Sequence, residues 1–81
     1  MPNDPAAKAD LTRRISQAVR SEMTDRNLSQ SELADILGVA RTTVVRKFMG
    51  DRDWTLSDVA KLASVWQVPI TALIPDDGEA A

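Results

Sequence analysis

The sequence predicts a compact all-α domain of five helices. Three observations carry this. Apolar residues recur at three- and four-residue spacing through most of the chain, the period of a helix with one buried face. Helix start and stop signals follow one another at short intervals, in the Ser29-Gln30-Ser31-Glu32 and Thr55-Leu56-Ser57-Asp58 boxes and at Gly38 and Gly50. The composition is globular and turn-poor: 43% hydrophobic and 27% charged, with 4% aromatic residues and 3 Gly. At 81 residues there is room for one domain.

The first helix is expected from Asp10, a possible N-cap, to about Arg26, where Asn27 can close it. Leu11, Ile15, Ala18, Val19 and Met23 form its apolar stripe. Residues 1–9, with two Pro and three Ala, read as a flexible arm ahead of a domain at 10–75. The second helix runs from Gln30 to Leu37: Ser29 caps it, Leu28 and Leu33 are spaced as a hydrophobic staple, and Gly38 ends it. A third begins at once near Arg41 and stops before Gly50, with Val44 and Phe48 inward and Val45 and Met49 beside them. The fourth starts at the Thr55 box, with Trp54 and Val59 as its staple, and buries Val59, Leu62, Ala63 and Trp66. Pro69 suits the first turn of a short fifth helix packed by Ile70, Leu73 and Ile74, and Pro75 stops it. Residues 76–81 read as an acidic tail.

Several functions are excluded or disfavoured by what is missing. Without Cys or His the chain has no disulfide framework, no thiolate nucleophile and no ordinary zinc site. It also lacks the commonest general base near neutral pH, so no enzyme activity is expected. No cofactor or small-molecule ligand is indicated. No apolar run approaches the ~20 residues of a membrane span, and the N-terminus does not resemble a signal peptide, so no membrane role and a cytoplasmic location are expected.

The net charge of -2 argues against a polyanionic partner, but its distribution argues otherwise. Asp4, Asp10, Asp76, Asp77 and Glu79 lie toward the ends, whereas Arg41, Arg46, Lys47 and Arg52 crowd one segment around Asp51. That segment follows a short capped helix and a tight turn through Gly38, Val39 and Ala40, the spacing of a helix-turn-helix. In such an arrangement the second helix stands clear of the body and can enter the DNA major groove. Its outward positions are Arg41, Thr42, Val45, Arg46 and Met49. Arg41 and Arg46 can each pair with guanine O6 and N7, and Thr42 and Val45 can meet a thymine methyl. Gln30 and the first N–H groups of the second helix can meet a phosphate.

Leu28-Ser29-Gln30-Ser31-Glu32-Leu33-Ala34-Asp35-Ile36-Leu37-Gly38-Val39 resembles the core of the Cro/C1-type, or Xre, helix-turn-helix family. The stretch from Leu56 to Ile74 is similar to that family's fourth and fifth helices. The resemblance implies a lambda-repressor-like domain acting as a transcriptional regulator, commonly a phage or prophage repressor, bound as a homodimer to a double-stranded DNA operator. It implies base contacts from Arg41, Thr42 and Arg46, and backbone contacts from Gln30 and Thr43. The residues themselves add Val45 to the base-contacting set and Arg52 to the phosphate-contacting set, where Asp51 or Asp53 is its competing partner. Two positions depart from the family pattern. Ala40 stands where Ser or Thr usually caps the recognition helix, and Lys47 stands where an apolar residue is usual. A protein-interaction module on the same fold, such as an antitoxin or antirepressor, is the competing reading.

Overall fold

The computed structural model describes residues 5–74, with side chains from residue 6. Four α-helices follow one another: α1 (Pro5–Arg26), α2 (Gln30–Leu37), α3 (Arg41–Met49) and α4 (Leu56–Trp66). A 3-10 turn at Ile70–Ala72 closes the described chain, and no strand occurs among the described residues.

Each helix stops at a residue in the left-handed region. These are Asn27 (φ 56°), Gly38 (φ 72°), Gly50 (φ 87°) and Gln67 (φ 57°). The reversal lets backbone N–H groups beyond the helix turn back onto its last carbonyls, as Leu28 N does to Met23 O (2.9 Å) and Val39 N to Ala34 O (3.0 Å). The starts differ in quality. Ser29 and Thr55 both form complete capping boxes, with Glu32 and Asp58 bonding back to the cap N–H groups. Ala40 caps α3 with extended backbone and no side-chain hydrogen bond.

The core joins all four helices. Ile15, Val19 and Met23 of α1 meet Leu33, Ala34 and Leu37 of α2, Val44 of α3, and Val59, Leu62, Ala63 and Trp66 of α4, with Trp54 and Leu73 completing it. Leu33, Val44, Leu62 and Leu73 are fully buried. At about 25 cal/mol per Å2 of apolar surface removed from water, side chains such as these are each worth about 1.5–3 kcal/mol.

Three expectations are corrected. First, α1 begins at Pro5, so Asp10 lies inside the helix instead of capping it, and residues 5–9 of the expected arm are helical. Proline is tolerated in a first turn, where its missing N–H would have no partner. Asp10 makes ion pairs to Arg13 and Arg14 one turn further on, and Lys8 is tied to Asp53 (3.0 Å). The expected stripe narrows accordingly to Ile15, Val19 and Met23, with Leu11 45% exposed.

Second, the fifth helix is a single 3-10 turn. Ala72 N and Leu73 N reach back three residues, to Pro69 O and Ile70 O (both 2.9 Å), and only Ile74 N makes a four-residue bond, to Ile70 O (3.0 Å). Pro69 caps this turn with ψ 148° and does not enter it. Between Pro69 and Pro75 too few residues remain to repay α-helix nucleation. Third, the inward pair on α3 is Val44 and Lys47. Phe48 is half-buried, and Met49 is 69% exposed. The expected acidic tail at 76–81 and Pro75 lie outside the described residues.

Candidate nucleic-acid interface

The exposed face of α3 is fixed by what holds the opposite face. Val44 is fully buried and Lys47, three residues on, is 5% exposed, so the two form one inward ridge. At 100° per residue, Thr42, Arg46 and Met49 then fall on the far side, and all three are exposed. Arg41 is exposed and Val45 half-buried along one flank, and Thr43 is half-buried along the other. Arg41, Thr42, Val45 and Arg46 thus share one presented surface. Thr43 sits at its margin.

The turn before α3 is Gly38, Val39 and Ala40. Gly38 takes the left-handed conformation at no steric cost, and half-buried Val39 packs against the core. Ala34, 3% exposed, adds no bulk where α2 faces α3. Arg52 follows the end of α3, and its N–H reaches back to Arg46 O (3.3 Å), which keeps it beside the last turn. Gln30 stands apart from these residues as the first residue of α2, half-buried behind the Ser29 cap.

The charges on this face are free to act on something else. Among the described residues, salt bridges engage Lys8, Arg13, Arg14, Arg26 and Lys47, and none of them involves Arg41, Arg46 or Arg52. Asp53, a plausible neutraliser of Arg52 by position, is held by Lys8. An unneutralised guanidinium presents a planar fork of donors that matches a phosphate or the O6/N7 edge of guanine. The first N–H groups of α3, which no cap side chain satisfies, lie at the same end as Arg41 and Thr42.

Lys47 stands where the family pattern has an apolar residue, and the fold accommodates it. Its stem is buried and its ammonium is fully engaged. Nζ donates to Asp58 Oδ2 (2.6 Å) and to Asp53 O (2.9 Å) and lies 5.7 Å from the Trp54 ring centre. Burial alone would push the Asp58 carboxyl up. The hydrogen bond from Lys47, the Thr55 backbone N–H, the Lys47 charge and the Thr55 hydroxyl outweigh it and hold the carboxyl below its ordinary value. Trp54 donates its indole N–H to Ser16 Oγ (2.8 Å), and Ser16 Oγ in turn donates to Lys47 O (3.4 Å). Both tryptophans are core residues, as their positions around α4 implied, each 7% exposed.

Sequence reasoning also missed two arginine contacts. The Arg26 guanidinium pairs with Glu22, donates to Trp66 O (3.0 Å) and lies over the Trp66 ring (5.1 Å), clasping the end of α1 to the end of α4. That of Arg20 lies 4.6 Å over the Phe48 ring. The Glu22–Arg26 spacing signals an in-helix pair, but nothing local signals Trp66, which is far along the chain. No helix among the described residues is long and apolar enough to cross a membrane, and no cluster of three or more metal-ligating side chains occurs among them.

Comparison with known proteins places the chain in a family and beside one relative. Residues 7–81 match the BetR domain. The chain is similar to the cryptic phage CTXphi transcriptional repressor RstR of Vibrio cholerae, at 34% identity over 62 residues. That match covers 76% of this chain and 56% of the relative, so the chain spans little more than half the relative's length.

Proposed function

The chain belongs to the BetR domain family, and from that membership we propose that it is a repressor-type transcriptional regulator of phage or prophage kind, binding double-stranded DNA sequence-specifically through α3. The observation that carries the reading is the presented face of α3: Arg41 and Arg46 exposed, free of carboxylate partners among the described residues, and flanked by Thr42 and Val45. The similarity to a phage transcriptional repressor supports the same conclusion.

In this reading α3 lies in the major groove with its N-terminal end toward the base edges. Arg41 and Arg46 read guanine by paired hydrogen bonds, and Thr42 and Val45 offer methyl groups to thymine. Gln30, Thr43 and Arg52 take backbone phosphates and set the register. The lambda-repressor-like, Cro/C1-type assignment belongs to this proposal, as does the homodimer on its operator. A single module of this size reads few base pairs, and pairing two of them supplies affinity and palindromic specificity. Val65 (53% exposed) and Ile70 (38% exposed), with half-buried Ile74 nearby in sequence, are the residues proposed to meet in the dimer.

The test is selection of bound sites from a random duplex library, with the wild type and with Arg41→Ala plus Arg46→Ala. The expected result is a palindromic motif that the double variant fails to enrich, while its residual binding keeps most of its salt dependence. A folded wild type that enriches nothing at low salt refutes DNA reading. It leaves the protein-interaction module as the function of the fold.

A further inference from the structure

We propose that Lys47, acting through Asp58, is the positioning residue that sets the rotation and height of α3 and thereby the sequence preference of the interface. This rests on the DNA reading above, and goes beyond it by naming a residue that touches no DNA.

Few directional contacts other than those of Lys47 fix α3 against the rest of the fold. The helix has nine residues, no side-chain cap at its start, and one fully buried apolar side chain, Val44. Half-buried Phe48 packs beside it against the core. Apolar contact is non-directional, so it sets the distance of the helix from the core more closely than its rotation. Lys47 supplies the second point of attachment, one turn further along. Its ammonium reaches two oxygens in different places, Asp58 Oδ2 on α4 (2.6 Å) and Asp53 O in the α3–α4 loop (2.9 Å). Hydrogen bonds fail with small changes in distance and angle, so two acceptors fix both a rotation and a translation.

The anchor is rigid at its far end as well. Asp58 Oδ2 also accepts the Thr55 N–H (3.0 Å), so the oxygen that holds α3 also closes the capping box of α4. On the near side, Lys47 O accepts from Ser16 Oγ (3.4 Å) and from Gly50 N (3.2 Å). Trp54 lies against the ammonium and meets Phe48 edge-on, with ring centres 5.2 Å apart. Lys47 is therefore held at its tip by α4 and the loop, and at its carbonyl by α1. The neighbouring residue is Arg46, whose guanidinium must meet a base edge to within a few tenths of an ångström to keep both hydrogen bonds. A buried charged pair is a poor source of net stability but a good source of a unique arrangement.

The experiment uses the full chain, a site selected with the wild type, and three variants: Lys47→Met, Asp58→Asn and the two together. Lys47→Met keeps an unbranched stem of similar length and removes the directional bonds. Asp58→Asn keeps a capping oxygen and removes the charge. The readout is the ratio of affinities for the selected site and for the same site with one base pair changed opposite Arg46. Helicity and the salt slope on random-sequence DNA are measured alongside.

The expected result is folded protein, unchanged random-sequence binding, and a ratio reduced about tenfold by Lys47→Met, the scale of losing one well-made bidentate contact. A smaller loss is expected for Asp58→Asn, and the double variant should be no worse than Lys47→Met. Wild-type discrimination in folded Lys47→Met overturns the proposal, since Lys47 would then only fill space, and wild-type discrimination in folded Asp58→Asn overturns it by removing the route through Asp58. Should Lys47→Met fail to fold, Asp58→Asn decides the matter. Additive losses in the double variant overturn the route through Asp58. A wild type that enriches no site at all is the separate failure of the DNA reading, and this proposal falls with it.

Discussion

Gln67 is the place where a single substitution should make this protein more stable. It ends α4 at φ 57° and ψ 46°, with its N–H on Ser64 O (3.3 Å) and Val68 N on Ala63 O (3.0 Å). The backbone there must be left-handed, and an L residue pays about 1–2 kcal/mol for it. Glycine pays no such cost, although its unfolded chain is freer and returns part of the gain. Gln67→Gly is therefore expected to stabilise by about 1 kcal/mol, which for a domain of this size raises Tm by about 4–8 °C. Gly38→Ala is the mirror experiment. At φ 72° a Cβ would meet nothing within 4 Å, so the substitution adds backbone strain without a collision. It is expected to cost about 1 kcal/mol, opposite in sign and similar in size. Thermal unfolding followed by circular dichroism measures both. A Tm unchanged or lowered by Gln67→Gly, with Gly38→Ala also neutral, would show that left-handed strain is not what these helix ends contribute.

Two further outcomes follow from the caps. Ala40 already has the extended backbone of a good N-cap (φ -72°, ψ 152°) and lacks only an oxygen, so Ala40→Ser is expected to stabilise by about 1 kcal/mol in urea unfolding; no gain would mean that its hydroxyl does not reach the α3 N–H groups. Asp58 ties stability to acid. Its folded carboxyl is held below the ordinary 3.8, so the contribution is fully present above that value and is lost as the pH falls through the lowered one. Unfolding free energies measured from neutral pH down through that range should fall less steeply in Asp58→Asn than in the wild type, and equal slopes would refute the assignment.

The parts of this fold legible in the sequence were those written in short range. A capping box spans four residues, and both boxes form as their residues dictate. Gly38 and Gly50 end helices because few other residues take their backbone angles so readily. What escaped had a signal that reads two ways or was decided by partners far along the chain. Pro5 suits a first helical turn and Ala6, Ala7 and Lys8 favour a helix, but a terminus with two prolines also reads as an arm, and Asp10 offered a second start. Val68-Pro69 does mark where α4 must stop, since the residue before a proline avoids the helical region, but nothing in the Gln67 side chain signals the left-handed backbone that ends it.

Lys47 is the sharpest case, and it also changes how the charge of this protein is to be weighed. By composition it belongs with Arg41, Arg46 and Arg52 as one of four cations in a basic segment. In the fold it is turned inward and neutralised by Asp58, eleven residues away, while Asp53 is taken by Lys8 from α1. The segment thus gives up one positive charge to the interior but keeps three arginines without carboxylate partners among the described residues. A net charge of -2 describes the field far from the molecule, where salt screens it within about 10 Å. At contact distance, what a DNA phosphate or base edge meets is decided by which acids are already occupied. An acidic protein can present a cationic face when its arginines outnumber the carboxylates left beside them: Asp58 is taken by Lys47, Asp53 pairs with Lys8 at the surface, and exposed Asp51 remains against three arginines.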